Sequence, residues 1–468
     1  MKRENVLMRT QGRLSFEYES GEGDRVTSWA GLPAVADVMC AFGIPESVKR
    51  NIHIRKRSAQ FDEPTSVTSF VLMMTAGGDC LDDMNPLRED AALSELLEFK
   101  FPSPETARAF LNAFHDDKLV EDARKEVPEG RKAFIPKESE PLRGLAVVNK
   151  ELVAAVQKRW PQKRVTVDID ATIHESHKQE AKPHYQQGRG YQPTTAYSPE
   201  LDLVIWDQFR DGNVPPHMNI HEAVLGALEQ LPEGIEQVAL RADSAGYDLG
   251  LLRELVSRKV QFAIGTDVRK GFRDACAATP QELWTRIDER EDTIVDVANV
   301  VYAPKDWRVA DPKLRFIGIR LTPLQHSLVE DDSERPVRYF GVVTNREDLS
   351  PVELVRWYWA KGGTVEQVHD VVKNDLGGGV LPCGRFGANA AWSRLTLLTY
   401  NVLSIVKRCG PTRLATARPK RLRLNLFALP AVLVTHARRL VARLTRSLAG
   451  TNEFTDLRDV AWGAVPAS

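Results

Sequence analysis

The chain has 468 residues, with 63 Lys and Arg against 64 Asp and Glu, a formal charge of −1, and 43% hydrophobic residues. This ordinary globular usage excludes a collagen-like, coiled-coil or wholly disordered chain, and at roughly 150 residues per domain the length predicts about three packing units. No apolar run reaches the ~18 residues of a membrane span, and MKRENVLMRTQGRLSFEYES lacks the apolar segment of a signal peptide, so the expectation is a cytoplasmic protein with no membrane partner.

Residues 1–145 read as mainly helical. SWAGLPAVADVMCAFG has apolar residues at helical spacing, SVTSFVLMMTAGGDCLDDM stops at Gly77-Gly78, and AALSELLEFK and SPETARAFLNAFHDD flank the short turn FPS, with Ser103 as a helix start. Two short helices about a tight turn suit helix-turn-helix DNA binding, and equally any small bundle. Residues 122–146, rich in Pro and charge, read as a linker. From about residue 163 the texture turns to strands: KRVTVDIDATI alternates Val165, Val167 and Ile169 with Thr166, Asp168 and Asp170. PTTAYSP and LDLVIWDQFRDG follow as strands, HEAVLGALEQLPEG as a helix, EQVALRAD as a strand, GLLRELVSRK as a helix and VQFAIGTDV as a strand. That order predicts a ribonuclease H-like mixed sheet flanked by helices over residues 146–410, interrupted by a β-rich insertion at about 270–335. RYFGVVTN is one more strand, SPVELVRWYW a helix with Ser350 and Glu353 as a capping box, and TVEQVHDVVKND a helix with Thr364 and Gln367 as a second capping pair.

Three carboxylates stand where this order would bring them together: Asp170 on the first core strand, Asp243 after EQVALRA, and Glu366 at a late helix start, with 72 and 122 residues between them. Carboxylate oxygens suit Mg²⁺, a hard ion, and a pair of such ions activates an attacking hydroxyl and stabilises a leaving oxygen in phosphoryl transfer. Lys373, two helical turns beyond Glu366, shares its face and can hold a phosphate. Each residue has a plainer reading as well: a solvated strand Asp, a helix-capping Asp243, an exposed helix face.

Charge is uneven along the chain. Residues 401–450 hold eleven Lys and Arg and no acid, leaving 52 basic against 64 acidic residues elsewhere. In the basic C-terminal segment, 411–468, Leu440, Val441 and Leu444 are expected to face a core while Arg439, Arg443 and Arg446 face outward, a surface suited to a polyanion. The five cysteines are scattered without a CxxC pair, and the histidines (His174, His177 and His184; His217 and His221) lack a zinc spacing, so neither a disulfide framework nor a zinc site is expected.

DIDAT, GRGYQPTTA, RDGN, LRADSAGY, YFGVVTN and GTVEQVHDVVKND, in that order, resemble the DDE transposases of bacterial insertion sequences, most closely the insertion-sequence thirteen-eighty family, over roughly residues 70–410. The resemblance implies Asp170, Asp243 and Glu366 as the metal-binding triad, with Asp168 competing for the first place and the Asp-x-Thr form favouring Asp170. It implies Mg²⁺, with Mn²⁺ as a substitute, and Lys373 as the phosphate-contacting Lys of the signature Tyr-x2-Arg-x3-Glu-x6-Lys. Here the Tyr place holds Trp359 and the Arg place Gly362, with Tyr358 and Lys361 one residue away, so Trp359 and Lys361 become the candidate DNA contacts. The implied activity is cleavage at element ends and strand transfer into target DNA, by a homodimer on double-stranded DNA (terminal inverted repeats and target) in the bacterial cytoplasm and nucleoid. The helical N-terminal region would help bind the repeats. The competing reading is a domesticated, catalytically impaired DNA-binding protein of the same descent.

Overall fold

The computed structural model describes residues 25–54, 61–290, 292–324, 337–444 and 448–463. Its helices are α1 (Leu32–Ala41), α2 (Ile44–Asn51), α3 (Glu63–Ala76), α4 (Met84–Glu89), α5 (Ala91–Leu97), α6 (Pro104–Asn112), α7 (Asp117–Lys125), α8 (Glu140–Arg159), α9 (Ile220–Glu229), α10 (Leu249–Ser257), α11 (Lys270–Ala278), α12 (Pro351–Trp359), α13 (Val365–Asp375), α14 (Phe386–Cys409), α15 (Pro419–Leu422) and α16 (Leu448–Ala461). The strands are β1 (Val26–Thr27), β2 (Arg164–Ala171), β3 (His174–Glu175), β4 (Lys182–His184), β5 (Gly188–Tyr191), β6 (Thr194–Ser198), β7 (Leu203–Gln208), β8 (Gln237–Ala242), β9 (Gln261–Gly265), β10 (Thr285–Arg290), β11 (Thr293–Val300), β12 (Arg315–Pro323), β13 (Arg338–Thr344), β14 (Ala431–His436) and β15 (Arg439–Leu444).

Local chemistry accounts for many of the ends. Ser103 accepts from the Thr106 amide to open α6, Ser350 and Glu353 close a reciprocal capping box at α12, and Gly77 takes the left-handed conformation, φ 102°, that stops α3. The second expected capping pair does not form: the Thr364 hydroxyl donates to Asp168 Oδ2 instead. The stretch read as a linker is helical at both ends, where α7 and α8 enter it.

Nine strands of the described residues form one mixed sheet in the order β10-β11-β12-β13-β9-β8-β2-β6-β7. At its centre β2, β8 and β9 run parallel, β6 and β7 fold back antiparallel on one side, and β13 pairs antiparallel with β9 on the other. The β-rich insertion therefore extends the central sheet, and it also carries a helix, α11, that the sequence reading does not include. Gly341 and Gly318, paired across β12 and β13, let α11 lie flat there, since a Cβ at Gly341 would stand 2.4 Å from the Phe272 ring.

Both faces of the sheet are covered. On one, Val165, Val167 and Ile169 of β2 join a core that runs through the N-terminal helices and the almost wholly buried α14. On the other, α12 packs Leu354 and Val355 over Ala263, Val297, Ile317 and Val342. The alternation expected along β2 is present, but its polar face is largely covered, Thr166 and Asp168 being buried and α13 packing against the strand.

The C-terminal segment includes, between α15 and α16, a hairpin of β14 and β15 in a three-stranded sheet with β1. Its alternation corrects one expectation: Ala431 and Leu433 turn inward, whereas Val441, paired with Val434, lies on the exposed face with Arg439 and Arg443 and is 38% exposed. Leu440 is also exposed, because the hairpin tip runs past the core it covers. Arg446 lies outside the described residues. Other cations of the segment are used internally, Arg418 and Lys420 reaching Asp375 at the end of α13 at 2.9 and 3.0 Å and Arg413 pairing with Glu453. No helix among the described residues is long and apolar enough to cross a membrane.

Candidate active site

The site is set by strand register. β2 and β8 are parallel with Ile169 opposite Ala242, so Asp170 and Asp243 are the next residues on two adjacent strands at their carboxyl ends. Ligands of open α/β sheets bind in the crevice beyond these ends. Burial, and then the negative charge of Asp170, push the Asp243 carboxyl above the usual range, while the Lys361 ammonium and the Ala245 amide work the other way. Asp243 still meets solvent through the mouth of a cavity of about 500 Å³, lined also by Tyr358, Trp359, Phe340, Leu321 and Arg290.

The two aspartates of DIDAT have different surroundings. Asp168 is 0% exposed and takes a two-pronged ion pair from Arg241, Nε to Oδ1 at 2.6 Å and Nη2 to Oδ2 at 2.7 Å. Arg241 is held in turn by the Trp357 carbonyl at 2.6 Å and lies over the Trp357 ring. With Thr364 also donating to it, Asp168 is saturated by the fold. Asp170 is half-buried and meets Lys361 Nζ at 3.0 Å, with His369 Nδ1 at 3.8 Å from its other oxygen. His369 Nε2 sits 2.5 Å from the Thr195 hydroxyl, and Thr195 is the β6 partner of Asp170 in register. Burial holds His369 neutral, its pKa lowered to about 3.

Glu366, in the first turn of α13, is exposed, and its carboxylate lies over the turn that precedes the helix, where a Cβ at Gly362 would stand 3.6 Å from Oε2. Among the described residues, the trio of acidic, His or Cys side chains whose ligand atoms approach within 4.8 Å of one another is Asp79, Cys80 and Asp83, a capping turn in which Asp83 accepts from two amides. Asp170, Asp243 and Glu366 do not close to that distance; the two aspartates adjoin, and Glu366 lies over Gly362, the residue after Lys361. Lys373 is exposed, its Nζ 3.3 Å from the Ile173 carbonyl just past β2. Trp359 is half-buried in the cavity wall, Lys361 is buried, and Arg439 and Arg443 are exposed on the separate hairpin sheet.

The donor set fits a hard divalent cation: two neighbouring carboxylates offer oxygen ligands, and an ammonium group rests on one of them as a stand-in positive charge. Sequence reasoning weighed Tyr358 and Lys361 only as a one-residue shift of the signature; the structure turns both toward the acidic pair, whose charges push the Tyr358 hydroxyl pKa further up after burial. It missed Arg241, for which an Arg inside a strand otherwise expected to be apolar (QVALRA) was the available signal.

A comparison with curated proteins finds no match. Among solved structures, a synaptic complex of piggyBac transposase with hairpin DNA is similar over 92% of this chain and 78% of that chain, at 9% identity and a TM-score of 0.41, a likeness too distant to bear on the site. A family model described as "Transposase DDE domain group 1" matches residues 18–460. With nearly the whole chain covered by that model, the protein belongs to the group 1 family of transposase DDE domains.

Proposed function

We propose that this protein is a Mg²⁺-dependent DNA transposase that cuts the ends of an element and joins them to target DNA by 3′-hydroxyl attack. The observation that carries the reading is the adjacency of Asp170 and Asp243 at the carboxyl ends of parallel β2 and β8. The strand order β7-β6-β2-β8-β9, with β6 antiparallel to both of its neighbours and β8 and β9 parallel to β2, supports a ribonuclease H-like core of the insertion-sequence thirteen-eighty type. Asp170 and Asp243 would hold divalent cations, Mg²⁺ or Mn²⁺, with Glu366 completing the shell from α13. Such ions, when bound, lower the pKa of an attacking water or 3′-hydroxyl and stabilise the leaving oxygen. Asp168 ties β2 to β8 through Arg241, and His369 holds the Thr195 hydroxyl, whose residue is the register partner of Asp170. Lys373 would hold a backbone phosphate beside the end of β2, and Trp359 would meet DNA at the cavity mouth. Arg439, Arg443 and Arg446 would add salt-sensitive affinity for the duplex. Two ends held together imply a homodimer on DNA, with the N-terminal helices helping to bind terminal inverted repeats in the bacterial nucleoid.

The test is Mg²⁺-dependent nicking and joining of a duplex that carries the element's terminal repeats. Nicks and joined products from the wild type, with neither from Asp243→Asn although it still binds the duplex, support the reading. Equal cutting by wild type and variant overturns the triad. One observation favours the catalytically impaired alternative: Gly362 stands where the family signature has a phosphate-clamping Arg. DNA binding without nicking by the wild type would select it.

A further inference from the structure

Lys361 is the cation that rests on the acidic pair. It is 7% exposed, its ammonium lies 3.0 Å from Asp170 Oδ1, and its charge also acts on Asp243. Its backbone is held, because the Thr364 amide donates to its carbonyl at 3.1 Å while the Thr364 hydroxyl donates to Asp168, and Arg241 grips the Trp357 carbonyl one helical turn before it. Its side chain is a flexible stem carrying a compact charge. It is followed by Gly362 and Gly363, and a Cβ built on Gly363 would meet nothing within 4 Å, so the turn leaves room outside it. Two carboxylates placed side by side need a positive charge between them, and Lys361 supplies one from within the chain.

We propose that Lys361 is a displaceable internal counter-ion, which neutralises Asp170 beside Asp243 and competes with divalent cations for the same oxygens. A divalent ion brings twice the charge to both carboxylates, so loading drives the ammonium off Asp170 and frees it for a phosphate of the DNA backbone, where the expected contact at this position would be made. Metal loading and the readiness of Lys361 to meet DNA are thereby coupled. The inference rests on the two-carboxylate reading given above and adds a role for a residue outside the triad.

The test is Mn²⁺ binding to the full-length protein without DNA, followed by titration calorimetry and by the free-Mn²⁺ electron paramagnetic resonance signal. Lys361→Met removes the competitor, and we expect it to bind Mn²⁺ about tenfold more tightly than wild type. Lys361→Gln should tighten binding likewise and serves if the Met variant does not fold. Lys361→Arg, which keeps the charge, should stay near wild type. In the presence of a chelator both neutral variants should melt below wild type, and Mn²⁺ should raise their Tm by more. If neither neutral variant binds Mn²⁺ more tightly while Asp170→Asn loses binding, the counter-ion role is overturned and the carboxylate site stands. If Asp170→Asn and Asp243→Asn both bind as wild type does, the carboxylate site itself is overturned.

Discussion

Two ionic centres lie on the same sheet and are built to different rules. At one edge Arg394 of α14, its side chain 3% exposed, meets Asp207 at 2.8 and 3.0 Å, Glu138 at 2.7 and 3.1 Å and the Leu142 carbonyl at 2.7 Å. Every charge there faces an opposite one with good geometry, and the cluster ties α8, β7 and α14 together. At the centre of the sheet Asp170 and Asp243 share one lysine, and the side chain of Asp243 accepts a single amide hydrogen bond, from Ala245 at 3.0 Å. Both centres set one cation against two carboxylates; they differ in hydrogen bonding, since Arg394 grips each of its carboxylates with two contacts whereas Lys361 meets one oxygen of Asp170. The same contrast separates Asp168 from Asp170, two residues apart on one strand face.

That comparison can be broken by experiment at several strengths. The largest effect belongs to the unsaturated centre: Asp243→Asn should lower Mg²⁺-dependent nicking by roughly a thousandfold, while the urea midpoint holds or rises because a like-charge contact with Asp170 is relieved. A comparable loss of stability would move Asp243 into the structural class. Next comes the saturated centre. Arg394→Met strands Asp207 and the half-buried Glu138 and should cost about 3 kcal/mol in urea unfolding; a change below about 1 kcal/mol would show that the cluster carries no stability.

Protonation gives a smaller, sign-definite effect. Burial lowers the pKa of His174, which bonds the Gly378 carbonyl through Nδ1, from 6.5 to about 4. Below pH 6.5 the unfolded chain takes up a proton there that the folded chain refuses, so stability present above 6.5 is lost as pH falls, until about pH 4. Measured against His174→Gln, the wild type should lose about 1.4 kcal/mol per pH unit across that window. Parallel stability curves for the two proteins would contradict the buried neutral imidazole. The smallest effect is local: Ser350→Ala opens the capping box of α12 and should cost about 1 kcal/mol, seen as a modest fall in Tm with nicking retained.

Much of this arrangement was legible in the chain. Ser350 with Glu353, Ser103 before Thr106 and the Gly77 stop are signals within one turn of helix, and the structure follows them. The alternation along VTVDID placed Val165, Val167 and Ile169 on one face and the acids on the other, and the strand-helix order put Asp170 and Asp243 on neighbouring strand ends. These features depend on residues close in sequence, or on a topology that short connections constrain.

What the sequence by itself determined was therefore the periodicity, several helix ends and the placing of Asp170 and Asp243 on neighbouring strand ends. Tertiary structure alone decided how those acids differ. Thr364 was a sound capping residue by its neighbours, yet a buried carboxylate from a distant strand offered its hydroxyl a stronger partner. Val441 belonged with the core by its hydrophobicity, but strand alternation and the limited reach of the underlying core left it beside arginines. Asp168 and Asp170 are the same residue type on the same face, and only the arrival of Arg241 from one side and Lys361 from the other gives one a two-pronged, fully buried ion pair and leaves the other half-buried on a single ammonium. The reason is physical: propensity and pattern act over a few residues, whereas desolvation and charge pairing are set by whatever the completed fold brings within a few ångströms.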